Sequence, residues 1–145
     1  MVIENDSIKL RNVVSGRYSL HYSQFPEALE DFCRILEEKN LTPTGTLFYS
    51  LNNVPADEQM AVEVFAAVEE NYVPENDIFS FHSYFTVKNM IMTYYSGNIE
   101  RRTEWAYAEL LQFLEENELE MASPFFHFFR GDLNFQYVEL KVGVQ

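Results

Sequence analysis

Two stretches of sequence decide the fold: FPEALEDFCRILEEKNL at residues 25–41 and TEWAYAELLQFLEENEL at residues 103–119. In both, apolar side chains recur every three or four positions, which predicts an amphipathic helix. Pro26 suits the first turn of the first helix, because the N–H that proline lacks is not needed there. Thr103 is a candidate N-cap for the second helix. The sequence therefore predicts one helix in each half of the chain.

The two helical stretches belong to a longer internal repeat. Shifted by 78 residues they align without a gap, so that Leu36 falls on Leu114. The same shift places GTLFYS at residues 45–50 over SPFFHF at residues 123–128, and both are typical of short strands. Strand-like segments also correspond before and after the helices: Arg17–Ser23 with Met90–Ser96, and Val62–Val64 with Val138–Leu140. Earlier strands are predicted at about Ser7–Val14 and Ile78–Phe85.

These correspondences predict an α+β domain built from duplicated ββαββ halves with pseudo-twofold symmetry, in which two helices pack on an antiparallel sheet. The first half spans about residues 1–70 and the second about residues 78–145. An acidic linker with Glu69, Glu70, Glu75 and Asp77 lies between them. Coincidence is the alternative explanation, since a shared LEE triplet is common in an acidic protein. Four matching segments in the same order favour duplication.

The composition excludes several classes of protein. Residues are 47% hydrophobic and 16% aromatic, which is too apolar for a disordered acidic tail. A formal net charge of −13 disfavours direct binding to nucleic acid, because a polyanion is repelled. The single cysteine, Cys33, excludes a disulfide framework and reads as a small core residue of the first helix. No apolar run is long enough to span a bilayer, and Met1–Leu10 is too polar for a signal peptide. We therefore expect a cytoplasmic protein without membrane partners.

Several local patterns resemble the GyrI-like family, the small-molecule-binding domains found alone and as effector-binding domains of AraC- and MerR-type multidrug-sensing regulators of bacteria. One pattern is a strand that ends in Tyr-Ser, at residues 22–23 and 95–96, before an acidic helix. Another is the aromatic strand after each helix, and a third is the closing strand YVELKV at residues 137–142. The resemblance covers nearly the whole chain. It implies a central cleft that receives ligands and a role in transcription regulation.

The chain also departs from the family pattern. The family usually has a Gly-Pro-aromatic turn after the strand, where this chain has Ser23-Gln24-Phe25 and Gly97-Asn98-Ile99. A proline usually ends the last strand, where this chain has Gly143. We expect no helix-turn-helix region to accompany the domain, so it resembles a divergent member of the stand-alone branch.

Glu139 is the principal candidate ligand-binding residue. By strand alternation it shares a face with Tyr137 and Lys141, and on composition alone that face would be an exposed one. The resemblance implies instead that the matching glutamate lies at the floor of the cleft and receives cationic or hydrogen-bonding ligands. Glu63, in the alternating run AVEVF at residues 61–65, is the corresponding residue of the first half. We rank Glu63 below Glu139.

Aromatic residues are the other candidates for a binding site. Tyr49, Tyr95, Trp105 and Tyr137 are predicted wall residues, since carboxylate and aromatic rings together suit lipophilic cations. The alternative is that aromatic stripes are core, as they usually are. A buried tyrosine needs a hydrogen-bond partner for its hydroxyl, which favours a wet or ligand-lined surface for some of them.

The remaining residues give little support to catalysis or to a metal. The three histidines lack metal-ligand spacing, and no cofactor is predicted. His127 aligns with Tyr49 across the repeat, but we read it as a surface strand residue. Ser15-Gly16-Arg17 is read as a turn, not as a phosphate loop. Cys33 and the serines show no nucleophile motif.

The sequence thus favours a domain that binds a hydrophobic, cationic small molecule for sensing or sequestration. One alternative is a hydrolase of strained electrophilic ligands, in which the cleft glutamate and a tyrosine polarise water and substrate. Another is an interaction module whose acidic surface meets a basic protein partner. The glutamates near the helix C-terminal ends, such as Glu115 and Glu116, are read as a solvated face in the absence of such a partner.

Overall fold

The computed structural model describes residues 1–45, 47–51, 59–76, 79–132 and 134–145. It contains antiparallel strands and two α-helices, as the sequence predicts. The order along the chain is β1 (Ile3–His21), α1 (Phe25–Glu38), β2 (Phe48–Leu51), β3 (Gln59–Ala67), β4 (Phe79–Ser96), α2 (Ile99–Glu116), β5 (Met121–Gly131) and β6 (Gln136–Val144). A short 3₁₀ turn, Tyr22–Gln24, joins β1 to α1. Three positions of the predicted strands and linker, Thr46, Asp77 and Ile78, lie outside the described residues.

The chain divides into two compact units. One, the α1 unit, consists of Lys9–Phe85. The other, the α2 unit, consists of Met1–Ile8 together with Thr86–Gln145. The strands β1 and β4 each contribute residues to both units.

In the α1 unit, β3 pairs with β1 on one side and with β2 on the other. Helix α1 buries Ala28, Phe32 and Leu36, which are spaced four residues apart and so share one face. Phe32 is fully buried and lies close to Gly16 of β1, where an added Cβ would come within 3.2 Å of its ring. Of the apolar stripe predicted from the sequence, Phe32 and Leu36 are buried, and Ala28 joins them on the same face.

In the α2 unit, β6 pairs with β4 and with β5. The core lies between α2 and one face of these strands, and its buried members are Ile91, Tyr95, Ala106, Leu110, Leu114, Phe125, Val138, Leu140 and Val142. Because side chains alternate along a strand, the residues between these positions point to the other face of the sheet. That second face carries the charged residues of β5 and β6.

Both helices end in the same hydrogen-bonding pattern. Asn40 and Glu118 adopt a positive φ of 53° just past the last turn. The amide of the next residue then bonds back into the helix, Leu41 N to Leu36 O at 3.0 Å and Leu119 N to Leu114 O at 2.9 Å. This is a Schellman-type cap, which satisfies carbonyls that the helix leaves open.

The two strands predicted before each helix are one long strand in both cases. β1 runs without interruption through the predicted turn Ser15-Gly16-Arg17, and β4 covers the region described after Ile78 up to Ser96. Asn12 and Asn89 have positive φ within these strands, which marks local irregularities and not chain reversals. The prediction of a turn at Gly16 was therefore wrong, because that glycine makes room for Phe32.

Two predictions about α1 and α2 need correction. The N-cap of α2 is Asn98, whose side chain accepts from Arg101 N at 3.3 Å, so Thr103 lies inside the helix and does not cap it. Cys33 is exposed on α1 and is not a core residue, because the buried face passes through its neighbours Phe32 and Leu36.

Glu70 of the predicted linker accepts from Thr42 N at 2.8 Å and from Thr42 Oγ1 at 3.0 Å. These bonds lower the pKa of Glu70. Within the described part of the chain, neither helix is long and apolar enough to cross a membrane.

Candidate functional site

The sheet face of the α2 unit that points away from α2 holds the principal candidate residue. In the strand register, Glu139 of β6 stands between Tyr94 of β4 and Phe128 of β5. One step along β6 on the same face, Tyr137 stands beside Arg130. Directly opposite residues have Cβ atoms only about 5 Å apart, so these side chains are neighbours. We call this set, Tyr94, Phe128, Arg130, Tyr137 and Glu139, the Glu139 face.

Glu139 is mostly buried and is paired with a cation. Its side chain is 16% exposed, and its Oε1 lies 2.5 Å from Nε of Arg130. The Arg130 side chain is 36% exposed, so the cation of the pair is more accessible to solvent than the carboxylate. A carboxylate that is removed from water needs such a partner. Arg130 was not predicted from the sequence, although the spacing of the β5–β6 hairpin was a signal that could have identified it.

A second ion pair lies on the same face. Lys141 is buried, and its Nζ contacts Asp6 Oδ2 at 2.9 Å. The ring of Phe128 has Arg130 Cζ 4.7 Å from its centroid and Lys141 Nζ 5.1 Å from it, within the range of cation–π contacts. Two cations and two carboxylates therefore balance one another around Phe128.

Aromatic rings border the Glu139 carboxylate. The centroids of Tyr94 and Tyr137 are 6.3 Å apart in an edge-to-face arrangement, and Phe135 lies 5.8 Å from Tyr137. Tyr94 and Phe135 are exposed, whereas Tyr137 is half-buried. Exposed rings beside an ion-paired carboxylate form a surface on which a flat apolar group can stack.

Tyr95 and Trp105 do not lie on the Glu139 face. Tyr95 pairs with Val138 in the register and points towards α2, where it belongs to the core. Its hydroxyl accepts from Thr103 Oγ1 at 2.9 Å, and burial raises its pKa. Trp105 is exposed on α2, with Arg102 Cζ 5.8 Å from its ring centroid. Of the predicted wall residues in this unit, the structure brings only Tyr137 next to Glu139, and Tyr94 occupies the place predicted for Tyr95.

Glu63 and Tyr49 belong to the α1 unit. In the register Glu63 of β3 stands between Arg17 of β1 and Ser50 of β2. Tyr49 pairs with Val64, one position away, and therefore faces the other side of the sheet. There its ring contacts Phe25 of α1 with centroids 4.7 Å apart. The structure therefore places Glu63 and Tyr49 on opposite faces.

Contacts of Glu63 differ from those of Glu139. Ser15 Oγ donates to Glu63 Oε2 at 2.6 Å, and His82 Nε2 lies 3.2 Å from the same Oγ. Arg17 Nε is 3.8 Å from Glu63 Oε1, and the Arg17 side chain is 70% exposed. Glu63, whose side chain is 14% exposed, is therefore held mainly by a neutral hydroxyl.

His127 is buried, not a surface residue as predicted. It is 1% exposed and faces α2 with Phe125, because the two are two positions apart on β5. Its Nε2 lies 2.6 Å from the hydroxyl oxygen of Tyr107. Burial lowers the pKa of His127 to about 3, so the imidazole is neutral in the fold at neutral pH. Across the described ranges, no group of His, Cys, Asp and Glu residues could hold a metal ion.

Several solved structures have a similar fold, and the structural match extends over the whole of this chain. The C-terminal domain of EcmrR matches with a TM-score of 0.76 and 18% identity over 100% of this chain and 97% of that one. In a cryo-EM structure of an EcmrR–DNA complex the match has a TM-score of 0.75, and this chain covers 57% of the EcmrR chain. A hydrolase from Listeria innocua matches with a TM-score of 0.59 and 10% identity over 100% of this chain and 90% of that one. At these identities the likeness shows a common fold.

Family membership rests on a separate comparison with the sequence itself. Among curated proteins, none matches this sequence. A family model described as a domain of unknown function, DUF5085, matches residues 9–145. The chain therefore belongs to the DUF5085 family.

Proposed function

We propose that the protein is a small-molecule-binding domain of the effector-binding type, and that the Glu139 face receives a hydrophobic cation for sensing or sequestration. The observation that carries the proposal is the mostly buried Glu139 carboxylate, bordered by Tyr94 and Tyr137 and closed by Arg130. The fold shared with the EcmrR C-terminal domain supports it, as does the sequence resemblance to GyrI-like domains.

Arg130 acts in this proposal as an internal stand-in for the ligand. Its guanidinium occupies the position that a ligand cation would take, 2.5 Å from the carboxylate. It lies on β5 near the hairpin and is partly exposed, so it can swing towards solvent when a ligand cation takes its place beside the carboxylate. A cationic ligand then exchanges one ion pair for another, and the stacking on Tyr94 and Tyr137 supplies the net gain.

The proposal predicts opposite effects for the two partners of the ion pair. Glu139→Gln removes the charge that attracts the cation and should weaken binding about ten- to a hundredfold, the scale of a charged hydrogen bond. Arg130→Gln removes the competitor and should strengthen binding of the same cation. Fluorescence anisotropy of ethidium, a flat lipophilic cation, measures both effects. Tyr95→Phe is a matched control, since that hydroxyl lies on the α2 side and its loss should leave the affinity unchanged.

Reversed signs would contradict the proposal. If Arg130→Gln weakens ligand binding and Glu139→Gln does not, the guanidinium is the anchor and the ligand is an anion. If all three variants bind ethidium as the wild type does, the dye does not use this face. Tyr94→Ala then shows whether any aromatic contact of the face is involved.

A hydrolase remains the second candidate function. The likeness to the Listeria innocua hydrolase is one of fold, and the candidate chemistry is a water activated by Glu139 beside Tyr137. Turnover of an electrophilic ester or epoxide that is lost in Glu139→Gln would favour it over binding alone. An acidic-surface interaction module predicts instead a salt-sensitive association with a basic protein that Glu139→Gln does not change.

We also infer that the two halves arose by duplication, as the sequence repeat predicts. Glu63 stands opposite Arg17 and Ser50, and Glu139 stands opposite Tyr94 and Phe128, at matching positions of β3 and β6. The two Schellman-type caps occur 78 residues apart, at Asn40 and Glu118. Both observations support a common β–α–β–β plan, with one long first strand in each half.

A further inference from the structure

We propose that Glu63 forms a second binding site, in the α1 unit, for a primary ammonium group carried on an aromatic molecule. This site is defined by Glu63, Ser15, His82 and Phe85, and we call it the Glu63 site. It differs from the Glu139 face in its ligand chemistry and can be tested independently of it.

A chain of hydrogen bonds fixes the orientation of the Glu63 carboxylate. Ser15 is buried, and its hydroxyl donates its only proton to Glu63 Oε2 at 2.6 Å. The His82 Nε2, 3.2 Å from the Ser15 oxygen, must therefore carry the hydrogen of that second bond and act as donor. One oxygen of the carboxylate is thus held in place by a buried group, which is itself held by the imidazole. Because Ser15 and His82 hold the carboxylate through these hydrogen bonds, its geometry is defined before a ligand binds.

The other oxygen, Oε1, accepts no hydrogen bond from the residues that the structure describes, and we propose that it receives the ligand. Arg17 is its nearest cation, at 3.8 Å, which is an ion pair but too long for a hydrogen bond. The Arg17 side chain is 70% exposed and hence loosely held. Within the described part of the chain, no other donor bonds to Oε1 of Glu63. Glu139, by contrast, already has a guanidinium at 2.5 Å.

Aromatic rings beside this carboxylate define the apolar part of the ligand. His82 and Phe85 are half-buried, with ring centroids 5.7 Å apart. Phe65 is buried, and its ring centroid lies 6.4 Å from that of His82 and 4.9 Å from that of Phe85. The supported rings offer edges and faces for contact with a flat apolar group.

The chemistry of Oε1 favours an N–H donor over a quaternary cation. A primary ammonium can donate to Oε1 directly, whereas a trimethylammonium group offers charge without a donor and is too bulky to approach as closely. The net charge of −13 raises the local concentration of either cation equally, so it does not distinguish them. The Glu63 site should therefore discriminate between two ligands of the same charge.

Titration followed by ¹H–¹⁵N NMR tests the inference. The probes are 4-phenylbenzylammonium and its N,N,N-trimethyl analogue. We expect the primary ammonium to shift the amide signals of Ser15, Glu63 and His82 saturably. The trimethyl analogue should bind at least about tenfold more weakly. Glu63→Gln should lower the affinity for the primary ammonium about tenfold or more, whereas Arg17→Gln should leave it unchanged or raise it.

Glu139→Gln is the matched control, because it removes the corresponding carboxylate of the other unit. Loss of binding in Glu63→Gln but not in Glu139→Gln supports the Glu63 site, whatever becomes of the Glu139 face. Loss of the shifts at Ser15, Glu63 and His82 in Glu139→Gln alone, or equal affinity for the two probes when it is read from these three signals, overturns it. Because the probe comparison reads the Ser15, Glu63 and His82 signals of the wild-type protein, it reports on this site separately from the Glu139 face and decides the question even if Glu63→Gln does not fold.

Discussion

The buried imidazole of His127 predicts a specific pH dependence of stability. His127 is 1% exposed, its Nε2 lies 2.6 Å from the Tyr107 hydroxyl oxygen, and burial lowers its pKa to about 3. In the unfolded chain the pKa of a histidine is about 6.5. Between these two values the unfolded state binds a proton that the folded state excludes. The contribution of the neutral His127 to the free energy of unfolding is therefore fully present well above pH 6.5 and is lost as the pH falls through that value.

The magnitude follows from the same two pKa values. Each pH unit within the window changes the free energy of unfolding by about 1.4 kcal/mol, so that lowering the pH from 7 to 5 should cost about 2 kcal/mol. Replacing His127 by glutamine removes the titrating group and keeps a side chain that can bond to Tyr107. The carboxylates that titrate in the acid range are the same in both proteins. The difference between their slopes therefore isolates His127.

Urea unfolding at pH 7, 6 and 5, followed by circular dichroism at 222 nm, measures this difference. The wild type should lose about 2 kcal/mol more than His127→Gln between pH 7 and pH 5. If the free energy of unfolding changes equally with pH in the two proteins, the expectation is wrong, since the imidazole can then take up a proton within the fold. A compensating movement of the ring to solvent would then be the physical alternative.

Three further predictions concern stability. Glu118→Gly should raise the free energy of unfolding by about 1 kcal/mol, because glycine takes the positive φ of 53° without strain. Asn40→Gly should raise it less, since asparagine tolerates that conformation. The urea midpoints of the two variants and the wild type measure both effects. Gly131→Ala should fail to reach the native fold or lose more than about 2 kcal/mol, because its Cβ would lie 2.1 Å from the Phe135 carbonyl oxygen at a φ of 101°, and soluble yield with thermal unfolding would show it. Phe32→Ala should cost about 3–5 kcal/mol, and a loss below 1 kcal/mol would mean that the α1 core is not packed as described.

The helices could be predicted from sequence because their signal is local. Buried residues such as Phe32 and Leu36 recur at the helical period, and the described helices lie within a few residues of the predicted stretches. The strands were harder to delimit, because glycine has more than one structural use. Gly16 is typical of a turn by composition, yet it lies inside β1, where an added Cβ would come within 3.2 Å of the ring of Phe32. Only the packing of α1 on β1 distinguishes the two uses.

The side-chain facing of the strands was the other point that sequence could not settle. Tyr94 and Tyr95 are adjacent, and both faces of β4 carry apolar or aromatic residues, so alternation alone does not say which tyrosine joins the core. The register with β6 decides it, since Tyr95 stands beside Val138 and Tyr94 beside Glu139. The same alternation buries His127.

Position in the sheet and binding chemistry are separable in this protein. Glu63 of β3 and Glu139 of β6 are the carboxylates that we propose as equivalent, and each is mostly buried. Their neighbours differ: Arg130 neutralises Glu139 at 2.5 Å, whereas Glu63 has a buried serine on one oxygen and a loosely held Arg17 near the other. In the binding modes that we propose, a ligand at Glu139 competes with a protein cation, whereas a ligand at Glu63 supplies a hydrogen-bond donor. We infer that the neighbours on the adjoining strands, more than the glutamates themselves, decide what each half can bind.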